Sequence, residues 1–291
     1  MLVSFPMIKS GTVSERILVC VALVVAFLTA SSTLLNVSAA SSPNISSSSS
    51  LLPDHPLAVT TEKNPHWSGY ADVSATNGSV TGVRASFILP SVTCNSSSPQ
   101  EQELYFFAAV DDLVTSSDFE YAGALAYCPQ GYTIPEYFAV ETVNFTISTW
   151  APNPGDTIFA SITVSKGNFV YNVTDVTSGH STRVKSNDSG ATLNSAEIVT
   201  DTGNCGTSSV TLDCPLPDFG TLSFGSGHTS VARTCYATID GKSKAIGNFG
   251  SAATLYKGVT TNDAGTIVDA ATSGLSTAKS SFTVTFKHAG P

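Results

Sequence analysis

Apolar residues recur at every second position along most of the chain from about residue 64 onward. Val83, Ala85, Phe87 and Leu89 follow this period, as do Ile158, Ala160, Ile162 and Val164, then Phe169, Tyr171 and Val173, and finally Phe282, Val284 and Phe286. A period of two puts successive side chains on opposite faces of an extended chain, so each run predicts a strand with one buried face. Further strands are predicted over 67–73, 105–110, 119–127, 181–185, 196–201, 220–224 and 234–239. Residues 138–150 form a stretch long enough to bend or to hold two strands. Asn77-Gly78 is a hairpin turn signal, and Asn153-Pro154-Gly155-Asp156 and Thr177-Ser178-Gly179-His180 punctuate later strands. No stretch keeps a helical period over three turns. The expectation is an all-β chain with two stacked antiparallel sheets, a β-sandwich rather than a small closed barrel.

The stretch 106–128, FFAAVDDLVTSSDFEYAGALAYC, reads as two strands joined by a polar loop. Tyr121, Gly123 and Leu125 fall on one face of the second strand, with Glu120, Ala122 and Ala124 on the other. A glycine beside a tyrosine leaves open space above the sheet, as a binding surface or a packing notch.

Composition narrows the functional classes. Hydrophobic residues make up 42 % of the 291 residues, enough for a sizeable core, and charged residues only 12 %. A net charge of -9 with 13 Lys plus Arg argues against a nucleic-acid partner. Few ionisable groups also means few protons taken up as pH falls, which suits an acidic, extracellular setting. The amino terminus agrees: Lys9 and Arg16 precede an apolar run over 17–30, and Val37-Ser38-Ala39 has the small-x-small form of a cleavage site. Residues 1–39 are therefore expected to be a signal peptide; an anchor that tethers the chain to the cell surface is the alternative, and membrane association is expected only in that case. Residues 40–63 are rich in Ser and Pro and read as a linker, with the globular domain at 64–291. Seven Asn-x-Ser/Thr triplets, at Asn36, Asn44, Asn77, Asn95, Asn144, Asn172 and Asn187, suit an exposed, secreted surface. Beyond Cys20, five cysteines remain. Cys205 and Cys214 flank a short loop and form the first candidate pair, Cys94 and Cys128 the second, which leaves Cys235 free or otherwise paired. Scattered histidines and the lack of CxxC or HxxxH spacing speak against a metal site, and no cofactor is implied.

The sequence holds no GxSxG elbow, no phosphate-binding glycine loop and no Asp-Thr-Gly or Asp-Ser-Gly. It does hold an ordered series of short motifs. Asn64-Pro65-His66-Trp67-Ser68-Gly69-Tyr70 is followed by 80–90 (VTGVRASFILP), then Phe107-Ala108-Ala109-Val110-Asp111 and Glu120-Tyr121-Ala122-Gly123. Tyr137-Phe138-Ala139-Val140-Glu141, Asn153-Pro154-Gly155-Asp156, 195–201 (SAEIVTD) and 218–224 (DFGTLSF) complete it. In order and spacing this series resembles the glutamic peptidases (eqolisins), acid-active secreted endopeptidases. The resemblance spans roughly 64–286 and implies a concanavalin-like sandwich of two bent antiparallel sheets, with a catalytic Gln and Glu on the concave face.

Matched position by position, the family's Gln falls on Tyr121 and its Glu on Asp201, so both catalytic positions are substituted. A further family Glu falls on Glu141. Trp67 and Asp111 match positions near the cleft, and Ala109 stands where the family has Gly. The resemblance implies a secreted, monomeric endopeptidase acting on polypeptides through a water activated at Asp201, with Tyr121 on the oxyanion and Glu141 in support. A phenol can donate to an oxyanion, and a carboxylate one methylene shorter is still a competent base. The alternative is an inactive sandwich that binds a peptide or glycan in the same cleft. By itself Tyr121 is also an ordinary sheet aromatic, and Asp201 an ordinary strand-end turn residue ahead of Thr202-Gly203.

Overall fold

The computed structural model describes residues 58–289 except 112–118, 144, 148, 189, 204, 206–213, 227–230 and 263. The expected signal peptide, most of the linker and the acceptors Asn36, Asn44 and Asn144 lie outside the described residues. The first strands are β1 (Val59–Asn64), β2 (Trp67–Val73), β3 (Val80–Ile88), β4 (Gln102–Val110), β5 (Glu120–Cys128), β6 (Glu136–Glu141), β7 (Phe145–Ile147), β8 (Thr157–Ser165) and β9 (Asn168–Asp175). There follow β10 (Ser181–Asn187), β11 (Ser195–Asp201), β12 (Thr221–Phe224), β13 (Tyr236–Ile239), β14 (Lys242–Ala245), β15 (Thr254–Thr261), β16 (Val268–Thr272) and β17 (Phe282–Phe286). Among the described residues a single 3-10 turn, Gly250–Ala252, stands before β15.

Pairing gives two sheets. The first runs β1–β15–β2–β11–β4–β5–β6–β7. The second runs β10–β9–β8–β3; β13 and β12 both pair with the far edge of β3, β13 continuing to β14 and β12 to β17 and β16. The end of β15 pairs with β16, so the sheets are continuous at that edge and the whole curls over on itself. Among the described residues every pairing is antiparallel except β1 with β15. The expected all-β sandwich is the fold.

Between the sheets lies the main core. Phe87, Phe106 and Phe224 meet there, with ring centroids 5.9 Å (Phe87–Phe106) and 5.6 Å (Phe87–Phe224) apart, and Tyr70 meets Phe282 edge-on at 4.9 Å. Each fully buried Phe of this kind contributes about 1.5–3 kcal/mol over its exposed state. Two disulfides, Cys94–Cys128 and Cys205–Cys214, close the loops that flank β4, β5 and β11. Cys235 is a buried free thiol whose pKa burial pushes up to about 12, which makes it unreactive.

Three elements depart from the expected pattern. Asn77-Gly78 does turn, with Gly78 at φ +75, but β2 pairs with β11 and β15 while β3 pairs with β8. The turn therefore crosses between sheets and makes no hairpin, because Gly78 N–H and Val80 N–H donate to Thr192 and Leu193 carbonyls instead of across a β2–β3 ladder. Residues 138–150 hold parts of two strands, β6 and β7. The sheet begins at Val59, inside the stretch expected to be a linker: β1 is mostly exposed and carries no apolar alternation, and its backbone pairs with β15.

Asp72 is an unusual member of the core. It lies between Leu255 and Ala196 in the ladder, is 1 % exposed, and its Oδ2 has no hydrogen-bond partner. Burial holds its carboxyl well above the usual carboxylate range. The folded chain therefore keeps a proton that the unfolded chain releases once pH passes the ordinary Asp value. With more protons bound in the folded state, stability falls as pH rises from there. Asp72→Asn is expected to narrow the gap in melting temperature between pH 3 and pH 7. An unchanged gap would show that Asp72 ionises freely in the fold.

Candidate active site

The first sheet has a second cluster on the face turned away from the main core. Trp67 and Ala71 of β2, Val199 of β11, Tyr105, Phe107 and Ala109 of β4, Tyr121 and Leu125 of β5, and Val140 of β6 pack there. Strand register explains the membership. Asp201 stands opposite Trp67 on one side and Tyr105 on the other, and Tyr105 opposite Leu125. Val199, Phe107 and Gly123 form the next row, and Glu197, Ala109 and Tyr121 the one after. Residues directly opposite in an antiparallel ladder share a face. Tyr121 and Asp201 therefore share this open face, and both line one cavity of about 170 Å³ with Tyr105, Phe107, Phe119 and Gly203.

Glycines make room for this arrangement. A Cβ on Gly123 would come within 2.0 Å of the Phe106 carbonyl oxygen, so β4 and β5 approach more closely there than any other residue allows. Gly258 of β15 lies beneath the Trp67 ring, where a Cβ would fall 2.1 Å from two ring carbons. Asn64 Oδ1 accepts the Trp67 backbone N–H at 2.7 Å and the His66 N–H at 2.9 Å, which fixes the chain as it enters β2.

Tyr121 is held by its backbone and by its ring. Its N–H donates to Thr142 Oγ1 at 2.7 Å, and its carbonyl accepts the Thr142 N–H at 3.2 Å. The ring lies 5.1 Å from Phe119, 5.7 Å from Phe107 and 6.2 Å from Tyr105, centroid to centroid. Burial, then the nearby Glu141, Glu103 and Glu120 carboxylates, push its phenol pKa far above the ordinary tyrosine value, so it remains a proton donor. Asp201 Oδ1 accepts the Gly203 N–H at 2.9 Å, which orients the carboxylate at the end of β11. Tyr105 O–H donates to Glu103 at 3.0 Å, and burial together with the neighbouring Glu101 raises the Glu103 pKa despite that bond.

The other expected site residues do not join the cavity lining. Glu141 pairs with Ala122, so it lies on the inter-sheet face, opposite to Tyr121, with Oε2 accepting the Val143 N–H at 2.7 Å. The expectation that it shares the cleft is corrected by strand parity: Tyr121 and Ala122 are neighbours in sequence and face opposite ways. Glu141 reaches Tyr121 only through its field. Asp111 ends β4 at φ +76, is 2 % exposed, and accepts the Asn194 N–H at 3.2 Å; it locks β4 to the chain entering β11. Trp67 is on the open face, one strand beyond Asp201, and covers Gly258. Motif matching passed over Tyr105, Phe119 and Gly203, and also Glu197. This last carboxylate is buried on the open face, in one row with Tyr121 across Ala109, and accepts the Ser195 hydroxyl at 2.7 Å. Its signal in sequence was parity with Val199 and Asp201. Among the described residues no group of His, Cys, Asp and Glu has the arrangement of a metal site.

The sequence pattern of the Peptidase A4 family matches residues 65–273. The chain belongs to this family. No curated protein sequence matches it. Among solved structures the chain is similar to SCP-B, a member of the eqolisin family of peptidases, in a complex with the tripeptide Ala-Ile-His. That match has 17 % identity and a TM-score of 0.59, and covers 77 % of this chain and 98 % of the other. It is similar also to scytalido-glutamic peptidase with a peptide-based transition-state analogue, at 14 % identity and TM-score 0.59, over 77 % of this chain and 98 % of that one. At these identities the structural likeness shows the A4 fold alone.

The Trp67–Gly258 contact gives a direct check on the site's scaffold. Gly258→Ala adds a methyl where the Trp67 ring lies, and overpacking of this kind costs about 1–3 kcal/mol. A lower melting temperature and a shifted tryptophan emission are expected. An unchanged melting curve and spectrum would mean the ring does not rest on Gly258.

Proposed function

We propose that the chain is a secreted endopeptidase that hydrolyses peptide bonds in acid, with Asp201 and Tyr121 in the places of the family's catalytic pair. The observation that carries this reading is their shared cavity: two side chains from different strands, both at the matched positions, line one space on the open face. In the proposed reaction the Asp201 carboxylate takes a proton from water as the water oxygen attacks the carbonyl carbon. The Tyr121 hydroxyl donates a hydrogen bond to the carbonyl oxygen as it gains negative charge. Asp201, now protonated, gives its proton to the amide nitrogen as the C–N bond breaks, which yields a carboxylic acid and an amine. Because the Tyr121 phenol is held protonated far above neutral pH, the donor is in its working state throughout the acid range. The apolar run over 17–30, the acceptor triplets and the two disulfides support export to an oxidising compartment. Among the described residues no helix is long and apolar enough to cross a membrane.

The tight ring packing around Tyr121 favours a second reading, in which the cavity binds a polypeptide without cutting it: a ring 9 % exposed and flanked by three others serves as a platform. Incubation of the mature protein with an unfolded protein from about pH 2 to pH 7, with fragments followed by mass spectrometry, separates the two. Fragments in the acid range, their loss in Asp201→Asn and a fall of about 10²–10³-fold in rate in Tyr121→Phe are expected. Absence of cleavage at every pH would leave the binding reading, and full activity in Asp201→Asn would place the chemistry elsewhere.

A further inference from the structure

We propose that the outer face of the second sheet binds an acidic polysaccharide, a carbohydrate polymer that carries carboxylates. This does not depend on the hydrolase reading above, because the face lies on the far side of the main core from the candidate active site. Strand parity defines it. Val83 and Ala85 of β3, Ile162 of β8, Tyr171 of β9 and Ala237 of β13 pack in the main core, so their neighbours in sequence point outward. Register aligns these in rows. Arg183, Asn172, Ser161, Arg84 and Tyr236 form one row across β10, β9, β8, β3 and β13. Lys185, Val170, Thr163, Gly82 and Thr238 form the next.

Charge is segregated here. Over the whole chain Asp and Glu outnumber Lys and Arg by 22 to 13. The outward positions of these five strands carry Arg84, Arg183 and Lys185 and no acid. The one acid on the same strands, Asp175, is 1 % exposed, and its carboxylate accepts the Thr177 and Ser178 N–H groups. A basic face on a chain of net charge -9 is complementary to an anion. Arg183 and Arg84 stand three strands apart, about 14 Å at the ordinary strand spacing. One small anion cannot bridge them, whereas a polymer with recurring carboxylates can. The groups between them suit a sugar. A groove of about 140 Å³ is lined by Ser161, Thr163, Thr238 and Ser243, and by Gly82, which has no side chain to fill it. A protein hydroxyl both donates and accepts, as contact with a sugar hydroxyl requires. Arg84 lines the same groove: its guanidinium carbon lies 5.5 Å from the Tyr236 ring centroid, and Nη2 donates to Ser243 Oγ at 3.4 Å. Its remaining N–H groups suit a carboxylate. A nucleic acid calls for denser positive charge, and a lipid surface for an apolar face rather than a groove lined by hydroxyls.

The test is binding of the purified protein at pH 7 to immobilised polygalacturonate, read by surface plasmon resonance, against the same polymer with its carboxyls methyl-esterified. The acidic polymer is expected to bind about tenfold more tightly and to lose affinity as salt is raised. Arg84→Ala combined with Arg183→Ala is expected to abolish most of that preference. Arg183 and Lys185 are exposed, so Arg183→Ala with Lys185→Ala carries the same expectation should the Arg84 variant fail to fold. Equal binding of the two polymers, or binding of neither, would overturn the proposal. So would a double variant, folded by its melting curve, that keeps the full preference. Tighter binding to double-stranded DNA or to anionic phospholipid vesicles than to polygalacturonate would overturn the carbohydrate assignment. Binding seen only after enzymatic removal of N-linked glycan would do the same, because the acceptor Asn172 lies in the first row. None of these results bears on cleavage at Asp201 and Tyr121.

Discussion

The ladder β11–β4–β5 is the constraint on which the site depends. Side chains in a strand alternate strictly, so the pairing of Asp201 with Tyr105, and of Tyr121 with Ala109, decides what faces the cavity. A slip of one residue in β5 would turn Tyr121 into the main core and bring Glu120 out. The core opposes that slip. Ala122, Ala124 and Ala126 are buried between the sheets, and Glu120 itself accepts a hydrogen bond there from Tyr171. Cys128 is fixed to Cys94 at the far end of the same strand. The chemistry on one face is thus held in register by packing on the other.

The same parity distributes the acids. Asp201 and Glu197 stand on the open face, Glu120 and Glu141 between the sheets. Glu120 and Glu141 are both buried, and burial, then the hydrogen bond to Glu120, pushes the Tyr171 phenol pKa up. Asp72 in the core is a carboxyl that burial holds well above its ordinary range, so it is least costly there when protonated. A fold with Asp72 inside it and few basic residues outside is suited to acid, where that carboxyl is neutral and the general loss of carboxylate charge removes few stabilising pairs.

Much of this was legible in the sequence, because alternation and turn residues report directly on half-buried strands. β8 and β9 illustrate it: the alternating Ile158, Ala160, Ile162 and Val164, and Phe169, Tyr171 and Val173, are all buried. β15 illustrates the failure. Gly258 and Lys257 interrupt its alternation, yet Gly258 is there because the Trp67 ring occupies the space above it. A tertiary contact nearly two hundred residues away in sequence dictated the residue that hid the strand. β1 was illegible for another reason, since an exposed strand held by backbone pairing has no apolar signature. Motif order pointed to Tyr121 and Asp201, which line one cavity, but placing Glu141 needed the β5–β6 register, which only the fold supplies. Phe119 and Tyr105 were passed over because an aromatic in a strand is common and its convergence on a cavity depends on neighbours from other strands.

The two substitutions make most sense together. On the proposed assignment a phenol, longer and more rigid, stands for a carboxamide, and Asp, one methylene shorter, for Glu, so that one side chain lengthens as the other shortens. The ring also brings an apolar face that a carboxamide lacks, and Phe119, Phe107 and Tyr105 pack around it. Those contacts fix the hydroxyl's position without a hydrogen-bonded side-chain scaffold, which is how a buried aromatic can act as a rigid donor. If the proposed assignment holds, the aromatic lining and the exchanged pair are one alteration: a tyrosine at the donor position needs neighbours shaped to hold a ring, and a cavity walled by rings follows from that.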